Sequence, residues 1–355
     1  MKPNHLFAIL IALFHGMLLQ AQSPTFTNLT PPNTTAIDFY GVCYRDSLNG
    51  FILSNQGHIM RTKDGGKTWN LQQKIQEGYL SEMYFISHDT AIIVGYGNII
   101  KSNDGGETWY VTQALPAKDK NGNTYRGLVH VTFISKKVGF AYGQEIIWKT
   151  SDGGNTWKEV FLWYDLFYGN IASMHFTDAD NGLAFADSIS FRTTDGGETW
   201  QKKYYTSNTN EQFGPGYFCS KLHGYFQIDG QSANFRETFD GGYSWTNVGT
   251  SGADKYVTFN PLLGFAGLSQ STFWRSVDTG KTWIAKTLSS NYFGVNLNSL
   301  SIVTPTHYCI VGDMGQIFDS RDGGSTWSRQ SWGYPNGFGR LAFSDSLHGH
   351  ECAND

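Results

Sequence analysis

Short alternations of apolar and polar positions run along most of the chain, most plainly in "EMYFISHDTAIIVGYGNIIKS", "HVTFISKKVGFAYGQEIIWKT" and "SMHFTDADNGLAFADSISFRT". Each stretch holds an alternating run, a polar turn, a run of small and apolar residues, a second glycine-rich or polar turn and a third short run. Runs of this length bounded by turn residues predict β-strands. A fixed phrase follows the third run, and the residues after its tryptophan, as in "TWYVTQ", supply a fourth strand. The unit is therefore a four-stranded meander whose last hairpin is the phrase itself.

Written as [Ser/Thr]-x-Asp-x-Gly-x-[Ser/Thr]-Trp, the phrase occurs seven times, centred on Asp64, Asp104, Asp152, Asp195, Asp240, Asp278 and Asp322. Chance would place such a pattern at roughly one position in a million. Successive aspartates lie 40, 48, 43, 45, 38 and 44 residues apart, the period of a propeller blade. Aspartate closes a turn by accepting nearby N–H groups, glycine takes positive φ without a Cβ clash, and the flanking hydroxyls tie the hairpin legs. The tryptophans Trp69, Trp109, Trp157, Trp200, Trp245, Trp283 and Trp327 then enter strand four, where each ring can cover the gap to a neighbouring sheet. One sheet alone leaves a face open, so the units must stack into a ring. Catalysis needs one or two special carboxylates rather than one per blade, so these aspartates read as hairpin staples.

The pattern resembles the Asp-box, or BNR, repeat found in sialidases, xyloglucan-cleaving glycosidases, sortilin-type receptors and photosystem II assembly factors. The "DGG-TW" form with a preceding half-repeat such as "FTDADNGLAF" looks most like the assembly-factor type and its secreted bacterial relatives. The resemblance implies an all-β propeller over nearly the whole chain. Sialidases of this family carry an Arg-Ile-Pro signature ahead of the first box and an arginine triad for the substrate carboxylate; no Arg-x-Pro occurs here, and ahead of Asp64 stand only Arg45 and Arg61. The xyloglucan enzymes use two propellers in a chain about twice as long.

The two ends decide the blade count. "TFTNLTPPNTTAIDFYGVCYRD" places Phe26 where a strand-four tryptophan would stand, and "GRLAFSDSLHGHECAND" reads as strands one and two of another unit. The expectation is seven Asp-box blades plus a partial eighth closed by the N-terminal strand; seven blades with a loose tail is the alternative. The stop after a half-repeat suggests a truncated C-terminus.

Composition narrows the function classes. Lys2, an apolar run from Leu6 to Leu19 and the exit "LQAQSP" predict a signal peptide over residues 1–21, leaving 22–355 as a single propeller domain. The run is interrupted by His15 and Gly16 and is shorter than the ~20 residues of a membrane span. These features predict a secreted, periplasmic or surface bacterial protein, a monomer with no membrane span after cleavage. Setting Lys2 aside leaves 25 basic against 30 acidic residues, which argues against a nucleic-acid partner. The four cysteines share no short spacing and the histidines are scattered singly, so no metal and no cofactor is expected.

Candidate binding residues lie in the long connections between units: Tyr125, Arg126, Trp163, Tyr164, Asp165, Tyr168, Tyr204, Tyr205, Tyr292, Trp332 and Tyr334, with Glu211 and Arg340 as further charged candidates. Aromatic side chains on loops held by a rigid ring make a platform for sugar or peptide, and they equally serve to cap sheet ends. "DKNGNTY" from Asp119 lacks the spacing and terminal acid of an EF-hand and reads as a turn. The sequence thus points to a non-enzymatic scaffold for protein or glycan, with an Asp-box glycoside hydrolase as the alternative; its catalytic residues are unknown.

Overall fold

A computed structural model describes residues 37–75, 78–115, 127–144, 146–162, 170–186, 189–204, 212–218, 220–229, 233–251, 256–260, 264–269, 272–277, 282–288, 296–331, 338–343 and 349–353. Blade 1 consists of β1 (Phe39–Tyr44), β2 (Gly50–Ser54), β3 (His58–Thr62) and β4 (Asn70–Lys74). Blade 2 holds β5 (Leu80–Phe85), β6 (Ala91–Gly95), β7 (Asn98–Ser102) and β8 (Tyr110–Ala114), and blade 3 holds β9 (Leu128–Phe133), β10 (Gly139–Gly143), β11 (Ile146–Thr150) and β12 (Lys158–Leu162). Blade 4 follows as β13 (Ile171–Phe176), β14 (Gly182–Ala186), β15 (Ile189–Thr193) and β16 (Gln201–Tyr204). Blade 5 is β17 (Gln212–Phe218), β18 (Gly224–Asp229), β19 (Ala233–Thr238) and β20 (Thr246–Ser251). Blade 6 is β21 (Tyr256–Asn260), β22 (Gly264–Ser269), β23 (Thr272–Ser276) and β24 (Ile284–Thr287), and blade 7 is β25 (Leu297–Ile302), β26 (Tyr308–Gly312), β27 (Gln316–Ser320) and β28 (Ser328–Ser331).

Each blade is an antiparallel meander in sequence order. Burial falls from the middle of the sheet outward: β2, β6, β10, β14 and β26 are buried at every residue, while β4 and β8 are largely exposed. The first strands contact one another in a closed cycle, β1 to β5 and onward through β9, β13, β17, β21 and β25 back to β1. Side chains lace this inner ring, because a bare N–H on one inner strand finds an acceptor on the preceding blade. Val131 N–H donates to Glu82 Oε2 (2.8 Å), Gly216 N–H to Ser173 Oγ (2.8 Å) and Val42 N–H to Ser299 Oγ (3.3 Å).

The repeat expectation holds with seven four-stranded blades; the partial eighth blade is corrected. Blade 7 meets blade 1 directly, and Phe39, Val42 and Trp69 share one apolar cluster with Cys309, Val311 and Ile317, leaving no room for another sheet. The last two strands, β29 (Phe338–Phe343) and β30 (Gly349–Ala353), pair with each other as a separate two-stranded sheet. Phe26 and the expected signal peptide lie outside the described residues. Among the described residues no helix is long and apolar enough to cross a membrane.

The box tryptophans fill the joints between blades. Trp69, Trp109, Trp157 and Trp200 are only 5–9% exposed. Trp109 stands edge-on to Phe51 of blade 1 (6.0 Å between centroids), Trp200 to Phe140 of blade 3 (6.5 Å), Trp245 to Phe185 of blade 4 (5.9 Å) and Trp327 to Phe273 of blade 6 (5.2 Å). Burying one such ring removes ~150–250 Å² from water, at most about 4–6 kcal/mol. The indole N–H groups of Trp69, Trp109, Trp157 and Trp200 have no acceptor among the described residues.

Candidate binding face

Two faces of the ring carry different chemistry. On the first lie the turns between strands one and two and the Asp-box hairpins. In blade 1, Asp64 Oδ1 accepts from the Thr62 hydroxyl (2.7 Å) and Thr68 N–H (2.9 Å), and Oδ2 accepts from the Thr68 hydroxyl (2.6 Å). The Gly66 N–H donates to Thr62 Oγ1 at 2.8 Å. The same bonds recur around Asp104, Asp152, Asp195, Asp240 and Asp322; Asp278 lies outside the described residues. Both box glycines take positive φ, as at Gly65 (73°) and Gly66 (89°). The second glycine has a further reason: a Cβ on Gly106 would lie 2.5 Å from Phe51, and one on Gly197 2.6 Å from Phe140, both on the preceding blade.

These carboxylates are engaged within their own hairpins and carry depressed pKa values. At Asp152 partial burial pushes the pKa up, but the Thr156 hydroxyl, Thr156 N–H and Thr150 hydroxyl outweigh it and hold the group at about 2. Asp195, led by the Thr199 hydroxyl bond, is held well below the usual carboxylate range. A poised acid or base would need the opposite. Beside Asp64 a cleft of about 310 Å³ is lined by Arg61, Lys63, Thr68, Asn70, Gln72 and Glu107. Its charges are already paired, Glu107 binding Arg61 at 2.7 Å and Lys63 at 3.2 Å.

The box face also shows a device the sequence reading missed, a base one residue before the box Ser or Thr that reaches forward to the next box. Lys101 donates to Gly153 O (2.9 Å) and Asn155 Oδ1 (2.7 Å), Arg192 to Gly241 O (3.1 Å) and Arg275 to Gly323 O (3.3 Å). The signal was available, because Arg61, Lys101, Lys149, Arg192 and Arg275 all occupy this position.

The opposite face gathers the connections between blades and the turns between strands two and three. Tyr96 N–H in the β6–β7 turn donates to Tyr79 O ahead of β5 (2.8 Å), and Asn55 N–H to Asp38 O ahead of β1 (3.0 Å). Tyr125, Arg126, Trp163, Tyr164, Asp165, Tyr168, Tyr205, Glu211, Tyr292, Trp332 and Tyr334 lie outside the described residues. Tyr204 ends β16 opposite Ile189, and Arg340 falls in β29; the side chains of both lie outside them too.

What the described residues bring together on this face was not foreseen. The Tyr40 and Tyr79 rings lie 4.2 Å apart between centroids, Tyr79 and Tyr96 5.1 Å apart, and Tyr96 is 42% exposed. Asp38 and Asp313 flank them at the junction of blades 7 and 1. Asp38 accepts from Met314 N–H (2.9 Å) and the Asn55 amide (3.1 Å); Asp313 accepts from the Asn298 and Asn296 amides (both 2.8 Å). Met314 has positive φ (56°), unusual for a residue with a Cβ, and its N–H bond to Asp38 ties this turn to the next blade. Burial, and then the charges of Asp38 and Asp313, raise the Tyr40 hydroxyl above its ordinary pKa against a bond from Tyr79. These residues escaped notice because they sit in short turns and strand entries, not in the long aromatic loops. No cluster of three or more His, Cys, Asp or Glu suited to a metal occurs among the described residues.

Comparison with known proteins agrees with the fold. The BNR/Asp-box repeat family model matches residues 191–202. No curated protein matches the chain in sequence. Among solved structures, YCF48 from Cyanidioschyzon merolae is 18% identical with a TM-score of 0.61, covering 82% of this chain and 97% of that one. YCF48 bound to D1 peptide is 16% identical with a TM-score of 0.61, covering 81% of this chain and 94% of that one. An ancestral GH74 enzyme is 11% identical with a TM-score of 0.62, and the match covers 92% of this chain and 50% of that chain. At these identities the likeness is one of fold. With its six described box hairpins and its closed ring of four-stranded sheets, the chain is a seven-bladed Asp-box β-propeller resembling YCF48.

Proposed function

We propose that this protein is a non-enzymatic binding scaffold that holds a stretch of a partner protein on the face formed by the interblade connections. The observation that carries the proposal is the contrast between the two faces. On one, the described box carboxylates are spent inside their own turns; on the other, tyrosines and two carboxylates stand at the surface of a rigid ring. The complex of YCF48 with D1 peptide supports peptide binding as a use of this fold. The reading includes export: residues 1–21 act as a leader, and the exported chain begins at Gln22. Mass spectrometry of the protein from the extracytoplasmic fraction tests that start.

The binding claim is tested with immobilised peptide pools and the triple variant Trp163→Ala, Tyr168→Ala, Trp332→Ala. Wild-type protein retains peptide and the folded variant loses most of it; equal retention overturns the assignment of the face. The alternative, a glycoside hydrolase, is favoured by the fold likeness to the GH74 enzyme. It requires two carboxylates about 5–10 Å apart across the connection face. Release of reducing sugar from a polysaccharide panel would replace the scaffold reading with the enzymatic one.

A further inference from the structure

We propose that Tyr40, Tyr79, Tyr96, Asp38 and Asp313 form a recognition site for a basic side chain, lysine or arginine, of an extended partner segment. The proposal rests on the peptide-scaffold reading above and names what one part of the connection face selects. Its first ground is uncompensated charge. Asp38 and Asp313 are held by neutral donors, the Met314 N–H and the amides of Asn55, Asn296 and Asn298, and neither has an ion-pair partner among the described residues. Amides fix a carboxylate in place without cancelling its charge, so the negative potential remains available to a ligand.

The second ground is the aromatic surface beside that charge. Tyr40 and Tyr79 are tilted by 45° and Tyr79 and Tyr96 by 72°, so the three rings present differently oriented π-faces within one small area. A cation over such faces gains quadrupole attraction, and the guanidinium adds stacking. The potentials coincide: Asp38 and Asp313 both act on Tyr40, and Asp313 also acts on Tyr79. Tyr96 is braced for the task. Gly127, at the entry to blade 3, lies against its ring, and a Cβ there would come within 2.6 Å of Cγ. The backbone of blade 3 therefore backs the ring, which remains 42% exposed.

The charge balance selects the occupant. An acidic segment would be repelled by two carboxylates that have no ion-pair partner among the described residues, and a neutral one would bring them no compensating charge. Each carboxylate is surrounded by amide donors rather than by further acceptors, which suits a side chain that itself brings donors better than a bare metal ion.

The test uses four degenerate decapeptide pools that differ only in a fixed central residue, Lys, Arg, Gln or Glu, passed over the full-length protein. The Lys and Arg pools are retained roughly tenfold more than the Gln pool, with the preference falling as salt rises. Tyr96→Ala and Asp313→Asn each remove most of that preference, while Tyr96→Phe keeps it because the ring face persists. Gly127→Ala, which displaces Tyr96 without touching a charge, weakens it as well. Equal retention of the Lys, Arg and Gln pools, or a preference unchanged in folded Tyr96→Ala, overturns the site and leaves the scaffold reading standing. Retention of no pool at all overturns both.

Discussion

The joint between blades 2 and 3 and the seam between blades 7 and 1 meet the same need in different ways. In the former, buried Lys101 crosses to the carbonyl of Gly153, the first glycine of the next box. At the seam the corresponding position is Asp319, which cannot donate. The donor comes instead from Arg321, two residues later, whose guanidinium reaches the Gly65 carbonyl while its Nε bonds Asp319 Oδ1 (2.6 Å). His307 completes the set: its Nε2 lies 2.8 Å from Asp319 Oδ2, and Arg321 Nη1 lies 3.3 Å from its Nδ1. Because arginine only donates, Nδ1 must accept and Nε2 carries the proton given to Asp319. Gln330 adds a bond to Gly66 O at 3.2 Å. At these two joints a side-chain donor meets a carbonyl of the glycine turn, and its source moves along the chain where a carboxylate anchors it.

The strongest way to break this equivalence is to empty each joint of its ring. Trp157→Ala and Trp69→Ala should each cost about 3–5 kcal/mol in urea unfolding. Similar losses mean that seam and ordinary joint are equally cemented; a small loss at Trp69 would show a seam held mainly by polar contacts. Next in size is Asp319→Ala, which removes the buried acceptor of both the His307 Nε2–H and the Arg321 guanidinium and should cost about 2–3 kcal/mol in lost charge-assisted hydrogen bonds. Lys101→Met should cost only about 1–2 kcal/mol, since it removes donors and leaves no buried charge unpaired. The reverse ranking would contradict the division of labour between them.

Acid sharpens the comparison further, because a box flanks each region. Asp152 is held at about 2, and Asp64 is likewise lowered, its Thr68 and Thr62 bonds outweighing the upward push of burial. A depressed folded pKa gives stability that is complete above the unfolded value, about 3.9, and is lost as pH falls toward the folded one. Melting temperature should therefore drop between about pH 4 and pH 2. Asp152→Asn or Asp64→Asn should each flatten that slope slightly and by similar amounts. The smallest effect belongs to Tyr110→Ser on the exposed outer strand of blade 2, where the ring lies largely in solvent although its backbone pairs with Lys101, and stability should stay within about 0.5 kcal/mol.

Much of this architecture was legible beforehand, for a physical reason. A turn that demands Asp, two positive-φ glycines and a flanking hydroxyl tolerates few substitutes, so its repetition marks each blade in the letters themselves. The seam was not legible: whether β1 meets β25 or an added sheet depends on how neighbouring sheets fill space, and no single residue encodes it. The spread of the cluster over Asp38, Tyr40, Tyr79, Tyr96 and Asp313 hid it too, since only ring closure brings residue 313 beside residue 38. The long aromatic loops drew attention through composition, which says where side chains could gather and not whether they do.

One feature of the ring, that each sheet is woven from four consecutive strands, bears on how it holds together. Six of its joints link neighbours already leashed by a peptide connector, so their partners meet at high local concentration. The seventh has no such leash among the described residues and no strand shared across it. On loop-closure grounds it should be the last joint to close on folding and the first to part under tension, and the guanidinium, imidazole and amide contacts stand at that joint.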